Sequence, residues 1–409
     1  MKKKKRLNPR SISRTKLQRY ANAFFRRLVM TNKTDDWNPR ADSVLGAPLA
    51  AFDNMRKHCP VAYSEYLQWS LFRHEDIMRV LEDHDTFSSA VSTHISVPNT
   101  MDPPEHSHYR RIIESYFSAA RMDAFEPVCR QLAAELVQQM PRDKPIECIS
   151  QFAQTFALQV QCNFLGWPND KLSDLQSWMD KNQAAILAAD RTAMGEVALE
   201  FSLMVADIIA ARRKNNGVDI IGSLTQENVN GRPLKDEEII SILRNWTGGE
   251  IGTIAASLGI IIYFLTQHPT LQQELREHPE KIPEALDEIL RIHGPLITNR
   301  RVTTCPVTLG DRQLEAGERL TLFWVSANRD ENIFDDPQQF KWGRDPEKNL
   351  LYGAGIHVCP GAPLARLELR VIIEELLRST KLLEIAQTNP PSHARYPAGG
   401  YTELYIQLS

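Results

Sequence analysis

Apolar positions recur every three or four residues through most of residues 113–215, and the breakers Pro141, Pro145 and Pro168 divide the pattern. That period predicts successive helices. The same spacing predicts a helix from Ala47 to His58 and another from His74 to Thr86. Between those two, Val61-Ala-Tyr63 and Trp69-Ser-Leu-Phe72 with polar residues between them predict a small sheet. Residues 91–101 are polar without a period and read as a loop over a pocket. Asn215-Asn-Gly217 and Asn230-Gly-Arg-Pro233 mark turns, and residues 294–327 read as short strands with hairpin-like turns at Gly310 and Gly317. The chain is therefore expected to be mainly α, a large helical region with a smaller β-rich region.

One pattern dominates. Asp236 to His268 reads as a single helix of about 33 residues, which at 1.5 Å per residue spans roughly 50 Å and crosses a whole domain. Its uncharged run, Ile251 to Gln267, is about 17 residues and falls short of the roughly 20 that a spanning helix needs. It continues a pattern that begins in charged sequence, so it reads as a buried helix, with no integral membrane segment. The middle, Thr247-Gly-Gly-Glu-Ile-Gly-Thr253, holds three glycines, each costing about 1 kcal/mol in a helix against alanine. They serve either close packing or a local widening. Glu250 and Thr253, three apart, are neighbours on the helix surface. An acid beside a hydroxyl can relay protons.

Composition adds three constraints. The 409 residues are 42% hydrophobic, enough for a substantial core, and show no linker or repeat. The six cysteines, Cys59, Cys129, Cys148, Cys162, Cys305 and Cys359, contain no CxxC pair, which argues against disulfides or a zinc cluster and for a reducing, cytoplasmic compartment. The net charge of −3 is uneven, because residues 1–34 carry 12 Lys and Arg and no acid. Residues 1–35 are expected to form a disordered basic arm, and Asp36-Trp-Asn-Pro39 to open a single folded domain over 36–409. The arm has a transit-peptide-like composition and could contact an anionic surface. Met30 is an alternative start.

The candidate chemistry lies in Tyr352-Gly-Ala-Gly-Ile-His-Val-Cys-Pro-Gly361, directly before a helix-forming run from Ala362 to Leu377. Glycines allow tight turns and close approach to a flat partner. A cysteine ahead of a helix start has amide donors and a positive dipole beside its sulfur, which favour the thiolate that binds metal. A free cysteine in a turn is the plainer alternative. A second stretch, Asp102-Pro-Pro-Glu-His-Ser-His-Tyr-Arg-Arg111, reads as a helix capped by Asp102. Its His106 and Arg110 share a face and suit an anion, or simply solvent. His108 points elsewhere, so a His-x-His metal site is not expected. Glu288 and Arg291 can pair on a further helix.

The aromatic-Gly-x-Gly-x-His-x-Cys-x-Gly loop, followed by Ala-x-Leu-Ala-Arg-x-Glu, resembles the heme-binding signature of the cytochrome P450 family. Tyr352 stands where that family usually has Phe. The Asp-Pro-Pro-x-His-x-x-x-Arg stretch, the Glu-x-x-Arg pair and the glycine-bearing helix resemble further motifs of the same family, in its order, across residues 36–409. The resemblance implies the cytochrome P450 fold and heme b, with Cys359 as the axial iron ligand. It implies propionate contacts from His106, Arg110, Arg301 and His357, with Arg300 as the alternative to Arg301. Gly249 and Gly353 are the glycines expected against the cofactor. Arg344 would join Glu288 and Arg291 in stabilising the thiolate side. In the central helix the chain departs from the family: Thr253 takes the threonine position, Gly252 stands where the acid belongs, and Glu250 holds the second glycine's place. An offset that puts Gly252 at the threonine position is the alternative.

The implied activity is a heme-thiolate monooxygenase that uses O2 and inserts one oxygen atom into a small hydrophobic organic substrate, by hydroxylation or heteroatom dealkylation. A non-catalytic heme-binding sensor and a peroxide-driven peroxygenase are the alternatives. Asp36-Trp-Asn-Pro-Arg40, Cys59-Pro-Val-Ala-Tyr-Ser-Glu-Tyr66 and Arg244-Asn-Trp-Thr247 look like the heme domains of self-sufficient bacterial members and of stand-alone thiocarbamate-oxidising relatives. Those self-sufficient members carry a fused reductase. This chain ends at Ser409, so electrons from NAD(P)H are expected through a separate ferredoxin and ferredoxin reductase. Arg110, Arg111, Arg366 and Arg370 would attract the acidic ferredoxin. No nucleic-acid partner is expected. The pocket is expected from loop 91–101, residues 183–205, the central helix and residues 295–298.

Overall fold

The computed structural model describes residues 34–92, 96–188, 190–215, 217–387, 389–396 and 398–409. The basic arm expected over 1–35 thus lies outside the described residues, except for its last two.

The central helix runs from Asp236 to Gln267 without interruption. Asp236, Glu237 and Glu238 open it, where acids oppose the helix dipole favourably, and the Glu238 carboxylate accepts the Lys235 amide at 2.8 Å. No widened turn appears at its glycines, so the expected local widening is not found. Towards its C-terminal end the helix is enclosed on every side: residues 257–262 are all buried. Gly259 lets Ile149 pack close there: a Cβ would stand 2.6 Å from Ile149 Cδ1 and displace that side-chain end. The helix is long and apolar enough to cross a membrane, yet 61% of its most apolar window is buried inside the protein, as for a core helix.

Around it pack Gln154–Leu165, Arg191–Asn215 and Ile282–His293. Ala362–Ser379 follows the cysteine loop and packs mainly on Ala119–Gln139. Phe152, Phe156, Leu258, Ile261 and Leu376, each fully buried, belong to the largest apolar cluster, which spans these helices.

The smaller β region is a five-stranded sheet of β1 (Val61–Ser64), β2 (Gln68–Leu71), β3 (Phe87–Ser88), β4 (Thr298–Thr303) and β5 (Arg319–Phe323). The spatial order is β1-β2-β5-β4-β3. β5 pairs parallel with β2 and antiparallel with β4, bringing Arg301 opposite Leu320. Burial along β4 leaves Arg300 outside and turns Arg301 in, as strand alternation requires.

Three local expectations change. The helix from His74 ends at Glu82, not Thr86, because the Asp83 carboxylate accepts the Thr86 amide and turns the chain into β3. Asp102 does not cap the next helix, Glu105–Ser115; its carboxylate accepts from Ser88 Oγ and the Ser89 amide instead. Trp324–Ala327 is a short helix within the stretch expected as strands and turns.

Candidate functional site

The cysteine loop is shaped by its glycines. Gly353 and Gly355 have φ of +75° and +67°, a region glycine enters without penalty. At Gly355 a Cβ would also meet the Leu81 carbonyl oxygen at 2.3 Å. The Cys359 amide donates to the Tyr352 carbonyl at 2.8 Å, closing the loop. The cysteine stays exposed, one turn ahead of Ala362–Ser379. Burial raises the thiol overall, outweighing the Gly361 and Ala362 amides and the Arg110 and Arg366 guanidinium groups, which pull it down, so the protein alone does not favour the thiolate as the sequence suggested. The opposing donors are those expected beside a helix start; a bound cation would supply the deprotonation.

Deep buttressing holds this loop. Arg291, 1% exposed, pairs with both Glu288 oxygens at 2.6 and 2.9 Å and donates to the carbonyls of Asn328 and Pro337. Arg344 Nε reaches the same Glu288 carboxylate at 2.7 Å. Asn328 in turn accepts the Leu350 amide. The three residues thus form one buried network that fixes the chain entering the loop.

Beside the loop, three nitrogen-rich side chains converge. The His106 and His357 rings lie tilted at 57° with centroids 4.3 Å apart, and each Nε2 is buried without a partner among the described residues. Arg301 is buried with them and among the described residues donates only to the Arg300 carbonyl. Burial, then Arg301 and His106, push His357 down to about 3; burial and Arg110 lower His106; and burial pulls Arg301 down to about 10. A cluster of donors this buried calls for an anion. Arg110 is differently engaged: it donates to Glu114 at 2.7 Å and to the Val358 carbonyl at 2.6 Å, so it braces the cysteine loop.

The central helix supplies the opposite wall. Nothing lies within 4 Å of where a Cβ would stand on Gly249 or Gly252. Those glycines face open space. Thr253 Oγ1 donates to the Gly249 carbonyl at 2.7 Å and lies near the Glu250 carbonyl. It is not bonded to the Glu250 carboxylate. That carboxylate turns into the core against Glu368, and burial and mutual repulsion push the Glu250 carboxyl well above the usual range. Glu368 closes the Ala-x-Leu-Ala-Arg-x-Glu stretch, whose spacing alone assigns it no role. A readable signal existed, since it sits among Leu364, Leu367 and Val371 on one apolar helix face.

A heme fits these residues. Cys359 offers the thiolate, the unpartnered histidines and Arg301 match carboxylate groups, and the bare faces of Gly249 and Gly252 admit a planar ring. The expected basic face is largely neutralised: Arg366 pairs with Asp287, and Arg370 with Glu126 and Glu374, while Arg111 is exposed.

Comparison with known proteins points the same way. A sequence profile described as cytochrome P450 matches residues 167–400. The chain is 29% identical over 357 residues to the putative cytochrome P450 YjiB of Bacillus subtilis, covering 84% of this chain and 90% of that one. It is 31% identical over 348 residues to the mycinamicin IV hydroxylase/epoxidase of Micromonospora griseorubida, covering 81% and 86%. Its fold matches the crystal structure of CYP109E1 from Bacillus megaterium in complex with corticosterone, with a TM-score of 0.80, 27% identity and coverage of 88% and 98%.

Proposed function

The chain belongs to the cytochrome P450 family and is a heme monooxygenase; from that premise we propose that it oxidises a small hydrophobic organic substrate by hydroxylation or heteroatom dealkylation. Heme b is the proposed cofactor, with Cys359 as its iron ligand and His106, His357 and Arg301 on its propionates. When bound, this group supplies dioxygen binding and reductive activation, with the thiolate favouring O–O cleavage.

The protein's own residues do the rest. Gly249 and Gly252 would leave room for the ring, and Gly353 lets the cysteine loop bend. Arg110 ties the cysteine loop to the His106 helix through the Val358 carbonyl. Thr253 presents its hydroxyl on the open face while its proton rests on the Gly249 carbonyl. Glu250, sharing a proton with Glu368 behind that face, is the proposed acid of the proton supply. Electrons are proposed to come from NAD(P)H through a separate ferredoxin and its reductase, with Arg111 the exposed basic contact, in a cytoplasmic setting.

The buried, unpartnered nitrogens of His106 and His357 beside Arg301 carry this reading. It is tested by the reduced carbon-monoxide spectrum of the heme-loaded protein. Cys359→Ser should abolish the thiolate-type band, and an unchanged band would overturn the assignment. A specific observation favours a second reading, peroxide-driven oxygenation: Gly252 stands where the family has its acid, and Thr253 is not bonded to a carboxylate. Comparing turnover supported by peroxide with turnover supported by surrogate reductases separates the two.

A further inference from the structure

An aromatic cluster adjoins the cysteine loop on the side away from the histidines. Tyr116 and Phe117 follow directly on the helix Glu105–Ser115. A Cβ on Gly361 would stand 3.8 Å from Phe117 Cε1 and 3.9 Å from Cys359 Sγ, so the Phe117 ring edges the loop beside the sulfur. Trp246 of the central helix meets Phe117 edge-on at 5.1 Å between centroids and Tyr116 at 5.7 Å. Both distances are those of direct aromatic contact. Tyr116 is fully buried and Trp246 half-buried, so the cluster runs from the loop towards the surface.

Three tyrosines sit in the loop or on the segments that brace it, and they differ in where a phenolic proton can go. Tyr352 has the Arg366 guanidinium over its ring at 4.6 Å, and no hydrogen bond reaches its hydroxyl among the described residues. Tyr109 donates to Glu238 at 2.8 Å, but Arg232 holds that same carboxylate at 2.7 Å. Although burial works the other way, Arg232 and the Lys235 amide keep the Glu238 carboxyl down at about 2, which makes it a poor base. Tyr116 donates to Glu227 Oε1 at 2.9 Å, and among the described residues no salt bridge engages that carboxylate. A proton acceptor must lie within roughly 2.6–3.2 Å of its donor, and Glu227 does.

The charges around Tyr116 set how it can be oxidised. Burial, then Glu227, raise its phenol well above the usual range, so it stays protonated at rest. The Arg121 guanidinium lies over its ring at 4.8 Å, and a cation there opposes positive charge on the ring. An electron can therefore leave Tyr116 only as the proton leaves, and Glu227 is placed to take that proton.

We propose that Tyr116, with Trp246 against it and Glu227 as its proton acceptor, is a built-in one-electron donor that re-reduces the cofactor when oxidising power has not been spent on substrate. Tyr116 gives up one electron, its O–H bond breaks, and the proton bonds to Glu227, which becomes neutral. The electron passes by Trp246 and Phe117 to the oxidised heme site. A soluble one-electron donor such as ascorbate then restores the phenoxyl, and the proton returns from Glu227. This inference rests on the heme-thiolate reading of Cys359.

The ferric holoenzyme, mixed with meta-chloroperoxybenzoic acid and rapidly frozen for electron paramagnetic resonance, tests it. The peracid transfers one oxygen atom, its O–O bond breaks and the carboxylic acid leaves, which oxidises the heme site by two electrons; Tyr116 should return one. The expected result is a free-radical signal that narrows when the protein carries ring-deuterated tyrosine. Tyr116→Phe should lose it and bleach faster at the Soret band, whereas Tyr109→Phe should keep it. Glu227→Gln still accepts the hydrogen bond but cannot keep the proton, so it should lose the signal as well; this half-buried position serves if Tyr116→Phe does not fold. Trp246→Phe should slow the signal's appearance. A signal that survives Tyr116→Phe or Glu227→Gln, is indifferent to deuterated tyrosine, disappears in Tyr109→Phe or forms at an unchanged rate in Trp246→Phe would overturn the proposal. So would a Soret band that responds to peracid with no radical in the parent, which leaves the Cys359 assignment intact. A Soret band indifferent to peracid would bring down both.

Discussion

Glu250 of the central helix and Glu368 of the helix after the cysteine loop meet carboxyl to carboxyl in the core, and no basic group contributes to holding either charge. Both side-chain oxygens of each also lack any other hydrogen-bond partner. Two adjacent buried carboxylates cannot both ionise at modest cost, so at least one proton stays on the pair and the two titrate together. The pair joins the central helix to the helix that follows Cys359.

This pairing makes stability depend on pH in a definite direction. Both carboxyls are raised in the folded state above the 4.5 of an ordinary glutamate. Across that interval the folded protein binds more protons than the unfolded chain, so unfolding free energy falls as pH rises. The contribution is complete below about pH 4.5 and is lost as pH climbs through the folded value. Glu368→Gln keeps a neutral partner for Glu250 and should flatten this slope. Urea unfolding at pH 5.5 and 8.5 checks it: the variant should gain relative stability at the higher pH and differ by under about 1 kcal/mol at the lower. Equal slopes in both proteins would show that the pair does not hold an extra proton.

The buried donors predict heme retention. Asp102 lies near Arg301 and His357 but bonds neither among the described residues, and hydrogen bonds to charged groups contribute about 1.5–3 kcal/mol each. Arg301→Met should therefore speed heme loss to a scavenging apoglobin by roughly 10- to 100-fold, and His357→Phe by somewhat less. Arg300→Met, on the outward side of the same strand, should leave the rate within about twofold. Similar rates for the two arginine variants would break the inward–outward assignment along β4.

Much of this site was legible because its motifs are local. The cysteine loop carries its glycines, histidine and helix start within ten residues, and the alternation on β4 decides between Arg300 and Arg301. What could not be read depends on contacts between distant segments. Asp102 looks like a cap when only its own helix is considered, but Ser88 and Ser89 arrive from another strand and take its carboxylate. Glu250 looks like Thr253's partner by helical spacing, yet the side chain turns to Glu368 on a helix the spacing cannot place. The glycines of the central helix suggested a widened turn, because a sequence shows their cost and not the empty volume they face.

The Glu288–Arg291–Arg344 network predicts a folding defect with a spectroscopic consequence. Arg291 is buried and makes four hydrogen bonds, two of them to main-chain carbonyls. Removing one partner of a buried ion pair costs about 3–5 kcal/mol. Lysine cannot reproduce the forked contacts. Arg291→Lys should thus lower stability by several kcal/mol and reduce the fraction purified with heme. Arg344→Lys, at the solvent end of the network, should be milder. Unfolding curves and heme-to-protein ratios measured together would reveal the order, and a harmless Arg291→Lys would mean that the network does not set the loop.

Gly249 offers a test in which protein stability and cofactor fit move in opposite directions. An alanine there meets no protein atom within 4 Å, and glycine to alanine inside a helix is favourable by about 1 kcal/mol. If the open face were merely exposed surface, Gly249→Ala would stabilise the protein and change nothing else. If a planar group lies against that face, the added methyl competes with it. The heme-free Gly249→Ala protein should therefore unfold at higher urea than its parent, while heme affinity falls and the ferric Soret band shifts. Gly46→Ala, at another glycine with open space around it, should leave both heme readouts unchanged. A Gly249→Ala protein that gains stability and keeps heme affinity unchanged would remove the central helix from the cofactor wall. A loss of stability in the heme-free protein would show instead that the glycine answers a packing need.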